Sequence, residues 1–120
     1  MDFYCHPRCG TCKKARKWLE EHNVPYNEIS LLESTPSKET WLNILKHTDR
    51  TIKSFFNTSG NVYRENNLKD TLPDMSTEQA ADWLASNGMV VKRPFAIDDD
   101  TYTSGFREAE YENTWLNKGE

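Results

Sequence analysis

The fold is decided by residues 3–15, Phe3-Tyr4-Cys5-His6-Pro7-Arg8-Cys9-Gly10-Thr11-Cys12-Lys13-Lys14-Ala15. The first residues of this stretch are β-prone, and Pro7 ends them. From Cys12 to His22, apolar or small residues recur at three- and four-residue spacing, as on the buried side of a helix. The segment from Pro25 to Leu32 then alternates in a way that favours a second strand. Together these segments predict a β-α-β unit.

Two amphipathic helices are predicted in the middle of the chain. The first follows Thr35-Pro36, where a capping residue precedes a proline at the first helical position, and it runs to about His47. The second begins with the capping-box pattern Ser76-Thr77-Glu78-Gln79 and ends at Asn87-Gly88. The segment 51–72 between them is interpreted as short helices joined by a turn.

The last part of the chain is predicted to form two strands and a helix. Met89 to Ile97 is interpreted as extended, Asp98 to Asp100 as a turn, Thr101 to Thr103 as a returning strand, and Glu108 to Leu116 as a helix. We find no repeat, low-complexity run or Gly/Ser linker. The sequence therefore predicts one domain over residues 1–120, with a helical insert at about 35–87.

The charge of the chain excludes several classes of partner. Of its 120 residues, 19 are acidic and 15 are basic, for a net charge of −4. This balance disfavours direct nonspecific binding to nucleic acid or to an anionic membrane. The longest apolar runs are two or three residues, which is too short to span a bilayer. The first residues do not resemble a secretory signal, so we expect a cytoplasmic protein.

The cysteines point to chemistry. All three lie within residues 5–12, whereas a disulfide framework would spread an even number of cysteines along the chain. If Cys9 lies at the start of the helix, unpaired backbone N–H groups stabilise its thiolate. Cys12 follows one turn later on the same face, within the separation that a disulfide needs. The spacing predicts that Cys9 attacks a substrate and that Cys12 resolves the product as a Cys9–Cys12 disulfide.

Two other interpretations of these cysteines are open. They could be small buried side chains, or Cys5, His6, Cys9 and Cys12 could bind zinc, although structural zinc sites usually join two separated ligand pairs. A Cys-x-x-Cys pair that opens a helix within a β-α-β unit favours redox chemistry over both. Basic residues gather around the pair and strengthen an anion site there. They are Arg8, Lys13, Lys14, Arg16 and Lys17.

The sequence resembles the ArsC/Spx family across nearly its whole length. The resemblance rests on Phe3-Tyr4-x-x-Pro7-x-Cys9-Gly10-Thr11-Cys12-Lys13-Lys14-Ala15, Phe56-Asn57-Thr58-Ser59-Gly60-x-x-Tyr63-Arg64-Glu65, Ser86-Asn87-Gly88-Met89-x-x-Lys92-Arg93-Pro94 and Gly105-Phe106-Arg107-Glu108. It implies an α/β, thioredoxin-like fold with a mixed four-stranded sheet, in the order β-α-β, helical insert, β-β-α. It also implies that Cys9 is the redox nucleophile and that the pair Arg93-Pro94 faces it, with the proline in the cis form. Arg93 would then hold the thiolate and any oxyanion substrate.

The resemblance implies a thiol-dependent oxidoreductase whose substrate is a small oxyanion such as arsenate, or a protein disulfide. Arsenate reductases of this family that depend on glutaredoxin carry serine at the position of Cys12 and bind arsenate with three arginines. Arg93 and Arg107 match two of these, and Asn57 stands at the third position. The implied site is Cys9, Cys12 and Arg93, supported by Pro94, Gly10, Thr11, Arg107 and Cys5.

The resemblance also implies the partners of this site. It implies no bound cofactor or metal, and it implies glutathione with glutaredoxin, or thioredoxin, as external reductant. The alternative that it implies is an Spx-like redox-sensing regulator that binds the alpha subunit of RNA polymerase. A noncatalytic binding module with the same fold is a third interpretation.

Overall fold

The computed structural model describes residues 1–116, so the last four residues of the predicted domain 1–120 lie outside the described residues. The chain divides into two compact units. One consists of Met1–Ser30 and Arg93–Glu120, and the other of Leu31–Lys92. The helical segment expected at about 35–87 lies within the second unit, and the organisation as a single domain stays a prediction.

The first unit is built on a mixed sheet. Its strands are β1 (Asp2–Cys5), β2 (Asn27–Ser30), β3 (Phe95–Asp98) and β4 (Thr101–Ser104). Within residues 1–116 they form one four-stranded sheet in the order β2-β1-β3-β4. Strand β1 runs parallel to β2 and antiparallel to β3, and β4 is antiparallel to β3. The predicted mixed four-stranded sheet is therefore confirmed.

Helix α1 (Gly10–Glu21) connects β1 to β2, which confirms the predicted β-α-β unit. Because side chains alternate along a strand, Phe3 and Cys5 point to the same face of the sheet. There they enter one buried cluster with the apolar stripe of α1. Helix α6 (Glu108–Tyr111) and the π-helical turn Glu112–Leu116 that follows it complete this cluster. Its buried members are Phe3, Cys5, Cys12, Ala15, Trp18, Leu19, Ala96, Tyr111 and Trp115.

The second unit is helical within its described residues. It contains α2 (Lys38–His47), α3 (Asn61–Glu65), α4 (Leu68–Thr71), α5 (Thr77–Ser86) and the 3-10 turns Ile52–Phe55, Leu72–Asp74 and Gly88–Val90. Helices α2 and α5 pack against each other. The short helices predicted for 51–72 are confirmed. No helix among the described residues is long and apolar enough to cross a membrane.

Local capping explains where the two long helices of this unit begin. Helix α5 has the predicted capping box, in which Ser76 Oγ accepts from the Gln79 N–H at 3.1 Å and Gln79 Oε1 accepts from the Ser76 N–H at 3.0 Å. The cap predicted for α2 is wrong by two residues. Its N-cap is Ser37, which accepts from the Thr40 N–H at 3.2 Å. The hydroxyl of Thr35 instead donates to the Ala85 carbonyl at 2.8 Å, a partner that lies far away in sequence.

The expectation of an extended segment from Met89 to Ile97 is correct only in its second half. Asn87 Oδ1 accepts from the Met89 N–H at 2.9 Å, which closes the chain into the 3-10 turn Gly88–Val90. An isolated antiparallel bridge then joins Val91 to Phe56. The regular strand begins only at Phe95.

Candidate active site

The loop between β1 and α1 is a tight turn that brings Cys9 to the start of the helix. The Cys9 N–H donates to the His6 carbonyl at 3.2 Å, which closes a four-residue turn. Pro7 occupies the second position of this turn, where its fixed φ is favourable. The Arg8 N–H donates to His6 Nδ1 at 3.1 Å. These local bonds explain why the chain turns within His6–Cys9.

Cys9 is the N-cap residue of α1, as the sequence predicts. Its backbone is extended, and no side-chain hydrogen bond caps this helix. The first turn contains no acidic residue. The first amides of the helix, at Gly10, Thr11 and Cys12, therefore remain available to a negative charge placed at the Cys9 sulfur or beside it. The Cys9 thiol is free and half-buried.

Space is open beside this sulfur. Apart from its two chain neighbours and the backbone of its own helix, a Cβ atom built on Gly10 would meet no atom within 4 Å, and both Gly10 and Thr11 are exposed. A glycine at this position leaves the helix start accessible to a bulky reactant. Among the three cysteines, Cys9 is thus the accessible one.

Cys12 is paired differently from the predicted Cys9–Cys12 disulfide. The structure contains a disulfide between Cys5 and Cys12, with Cα atoms 6.0 Å apart. The physical reason is tertiary: Cys5 ends β1 on the face that α1 covers, and Cys12 lies on the buried side of α1 directly against that face. The helical spacing alone brings Cys12 near Cys9, but the docking of α1 on the sheet brings it to Cys5.

Arg93 and Pro94 immediately precede β3. In the antiparallel register of β1 and β3, Tyr4 pairs with Phe95. Continuing this register by two residues places Arg93 opposite His6, at the turn that leads to Cys9. The peptide bond between Arg93 and Pro94 is cis, as the resemblance implies. Pro94 is buried and its carbonyl accepts from the N–H of Gly105, the residue that follows β4, at 2.9 Å.

The titration of His6 reports the charges around the turn. Burial lowers the pKa of His6, and the positive charges of Arg93 and Arg8 lower it further. The sequence pattern gives His6 no role beyond the zinc alternative. Its place one turn before Cys9 and its electrostatic contact with Arg93 make it the residue that links the predicted arginine to the cysteine turn.

Replacing Arg93 tests this placement. We expect Arg93→Ala to raise the pKa of His6, because a neighbouring cation that disfavours the imidazolium is removed, and Arg93→Lys to leave it close to that of the native protein. The measurement is an NMR titration of the imidazole carbons, with His22 and His47 as internal references. Arg107→Ala is the matched control and should not move the His6 titration. An unchanged His6 in Arg93→Ala would place Arg93 away from the cysteine turn.

Two of the basic residues predicted to form the anion site are used elsewhere. Arg16 donates to both carboxylate oxygens of Glu28, at 2.8 and 3.1 Å, and so ties α1 to β2. Lys17 lies 3.8 Å from the Glu21 carboxylate. Lys13 and Lys14 are exposed and form no ion pair among residues 1–116. Arg8 and Arg93 are the cations whose charges act on His6 in the cysteine turn.

Arg107, the second arginine that the resemblance implies for the site, is the N-cap residue of α6. Its guanidinium is exposed and lies 3.5 Å from the Glu110 carboxylate. The zinc interpretation gains nothing here, because no group of three or more His, Cys, Asp or Glu side chains within residues 1–116 is placed to hold a metal ion.

Comparison with known proteins extends over almost the whole chain. The ArsC family model matches residues 4–114. The chain is 47% identical over 115 residues to "Uncharacterized protein YusI" of Bacillus subtilis, a match that covers 96% of this chain and 98% of that protein. It is 29% identical over 110 residues to "Global transcriptional regulator Spx" of Streptococcus agalactiae, which covers 92% of this chain and 79% of that regulator.

Solved structures agree with the fold. The crystal structure of "a possible arsenate reductase" from Streptococcus mutans superposes with a TM-score of 0.88 at 37% identity, over 93% of this chain and 94% of that one. With the sheet topology, this similarity confirms the predicted thioredoxin-like α/β class.

Proposed function

Since the chain belongs to the ArsC family, we propose that it is a thiol-disulfide oxidoreductase with Cys9 as its nucleophile. One observation carries the proposal: a free, half-buried thiol stands at the N-cap of α1 without a capping hydrogen bond. Unpaired N–H groups of the first helical turn stand beside Cys9, and a thiolate that they would stabilise is the reactive form of cysteine. The exposed surface at Gly10 gives a substrate access to it.

The reaction that we propose is disulfide exchange. The Cys9 thiolate attacks one sulfur of a substrate disulfide and expels the other sulfur as a thiolate. Cys12, one helical turn away, attacks Cys9 Sγ and expels the second substrate thiolate, which leaves a protein disulfide. Two electrons pass from the protein thiols to the substrate. Arg93 would hold the thiolate at Cys9 and any anionic group of the substrate.

An oxyanion such as arsenate is the second substrate class at the same site. Its reduction to arsenite likewise takes two electrons from two thiols and releases water. A disulfide is favoured because two of the three arginine positions that arsenate binding would use differ from that pattern: Asn57 stands at one, and Arg107 at another lies 3.5 Å from the Glu110 carboxylate. Cys12 moreover supplies a resolving thiol where the arsenate enzymes have serine.

We propose that the protein acts in the cytoplasm and is reduced there by glutathione with glutaredoxin, or by thioredoxin. A redox-active dithiol must be returned to the reduced state, and the cytoplasmic thiol systems do this. A disulfide in a cytoplasmic protein is most often transient and catalytic, which agrees with the role given to these cysteines.

Reductase assays test the proposal directly. We expect turnover of a disulfide substrate when one of the two thiol systems, glutaredoxin with glutathione or thioredoxin with its reductase, is supplied, measured as NADPH consumption. Arsenate offered in parallel should turn over more slowly or not at all. Arsenate reduction that exceeds disulfide reduction would reverse the substrate assignment. Absence of turnover with every combination would overturn the enzymatic proposal.

A second candidate function is redox-dependent regulation, favoured by the similarity to Spx of Streptococcus agalactiae over 92% of this chain. The resemblance to the Spx branch implies an alpha-subunit-binding surface that includes a glycine in the central helical region. This chain has no glycine between Gly10 and Gly60. A pull-down with purified alpha subunit, carried out on the reduced and the oxidised protein, distinguishes the two functions: retention of the subunit would support regulation.

A further inference from the structure

We propose that Cys5 is a third redox residue, and that the three cysteines form a relay which ends in the buried Cys5–Cys12 disulfide and returns Cys9 as a free thiol. This inference rests on the proposed function, since it begins with attack by Cys9. It adds the Cys5–Cys12 disulfide as the final oxidised product and assigns a chemical role to a cysteine that lies outside the Cys-x-x-Cys motif.

The burial of the three sulfur-bearing residues sets the order of the relay. Cys5 is 1% exposed and Cys12 is 0% exposed, whereas Cys9 is half-buried and packs against the same cluster. A substrate can therefore meet Cys9 alone. Cys12 is within reach of both of the others, because it lies one turn after Cys9 and is bonded to Cys5.

Each step of the relay exchanges one disulfide for another. After Cys9 and Cys12 have released both thiolates of the substrate, the Cys5 sulfur attacks Cys12 Sγ. The Cys5–Cys12 bond forms, the Cys9–Cys12 bond breaks and the Cys9 thiolate leaves. The protons of the Cys12 and Cys5 thiols end on the two substrate thiolates. The net change is the reduction of one substrate disulfide and the oxidation of Cys5 and Cys12.

Electrostatics favours this last exchange. A thiolate is costly inside the apolar cluster that surrounds Cys5 and Cys12, whereas an uncharged disulfide is not. At Cys9 a negative charge would meet the unpaired first amides of α1 and a first turn that contains no acidic residue. The exchange thus leaves the charge at Cys9 and the disulfide in the core.

The relay predicts how the protein is reduced again. An external thiol cannot reach the buried bond, so reduction must run through the same steps in reverse: Cys9 attacks Cys12 Sγ, and the reductant then attacks Cys9 Sγ. Cys9 is accordingly the entry point for both substrate and reductant. An oxidised protein that meets a second substrate would keep it as a mixed disulfide on Cys9, because no thiol remains to resolve it.

Titration of the fully reduced protein with an aromatic disulfide, dithiobis(nitrobenzoate), tests the relay. The first molar equivalent should release two equivalents of coloured thiolate and leave one thiol per chain, which iodoacetamide then labels. Trypsin cuts after Arg8 and Lys13, so Cys5 falls in the peptide Met1–Arg8 and the other two cysteines in Cys9–Lys13. We expect the two peptides to be joined by a disulfide, with the iodoacetamide label on Cys9.

Other outcomes overturn the relay or the function separately. A disulfide confined to Cys9–Lys13, with the label on Cys5, would leave exchange at Cys9–Cys12 and end the relay while keeping the proposed function. A Cys5–Cys9 disulfide, with the label on Cys12, would contradict the relay, because Cys12 would then take no part in the final disulfide. If Cys9→Ser still releases the coloured thiolate, the proposed function itself is overturned, because the first attack would not come from Cys9.

A variant supplies the matched comparison. After one equivalent of reagent, Cys5→Ala should contain no thiol that iodoacetamide labels, whereas the native protein retains one. A second equivalent should leave one bound aromatic thiol on the native protein and none on Cys5→Ala. Retention of a labelled thiol by Cys5→Ala would contradict the relay. Because peptide mapping of the native protein stands by itself, the test does not depend on the folding of this variant.

Discussion

Cys9→Ser is expected to lower kcat/KM for a disulfide substrate by on the order of 10³-fold or more. A serine hydroxyl is not ionised near neutral pH and forms no disulfide, so the first covalent step is lost. The folded state should change little, because the Cys9 side chain is half-buried and caps no helix amide. The measurements are steady-state reduction of the substrate and, as a folding control, thermal unfolding followed by circular dichroism.

Cys12→Ser is the comparison variant that distinguishes the attacking cysteine from the resolving cysteine. It should retain the first attack and accumulate a mixed disulfide on Cys9, visible as an added mass on the peptide Cys9–Lys13. If Cys12→Ser instead loses the first attack while Cys9→Ser keeps it, the nucleophile is Cys12 and the assignment must be exchanged. Equal loss of folding in both variants would be detected by the unfolding control.

Gly88→Ala is expected to lower the free energy of unfolding by about 2–4 kcal/mol, an overpacking cost at the upper end of its usual range. Gly88 is buried, and a Cβ atom there would collide with the Leu31 carbonyl oxygen. It would also lie 2.9 Å from the carbonyl carbon of Leu31 and 3.1 Å from its Cβ. Backbone atoms cannot rotate aside as a flexible side chain would, so the 3-10 turn Gly88–Val90 must shift.

Chemical and thermal denaturation measure this effect, and the midpoint temperature should fall by roughly 10 °C. Gly10→Ala is the matched control, since a Cβ there would meet no atom within 4 Å. Its unfolding free energy should stay within about 0.5 kcal/mol of the native value, or rise slightly because alanine loses less conformational entropy than glycine on folding. Similar destabilisation by both substitutions would mean that close packing at Leu31 is not the cause.

Much of the fold could be predicted from local patterns. The β-prone start, the apolar stripe from Cys12 to His22 and the capping box at Ser76 each depend on neighbours within a few positions, and each is confirmed. The error at the start of α2 involves a partner that lies far away in sequence. Ser37 caps α2, whereas the Thr35 hydroxyl donates to the Ala85 carbonyl.

In the candidate site, too, some features follow from local sequence and others depend on tertiary contacts. By itself the sequence determined that Cys9 begins a helix within a β-α-β unit, because turn and helix signals are local. Only the tertiary structure decided that Cys12 pairs with Cys5, that Arg16 is bound by Glu28 and that Arg93 lies near His6. Spacing along one helix can specify which side chains share a face. It cannot specify which strand that face will cover, since this depends on how α1 docks on the sheet and on the register of β1 with β3.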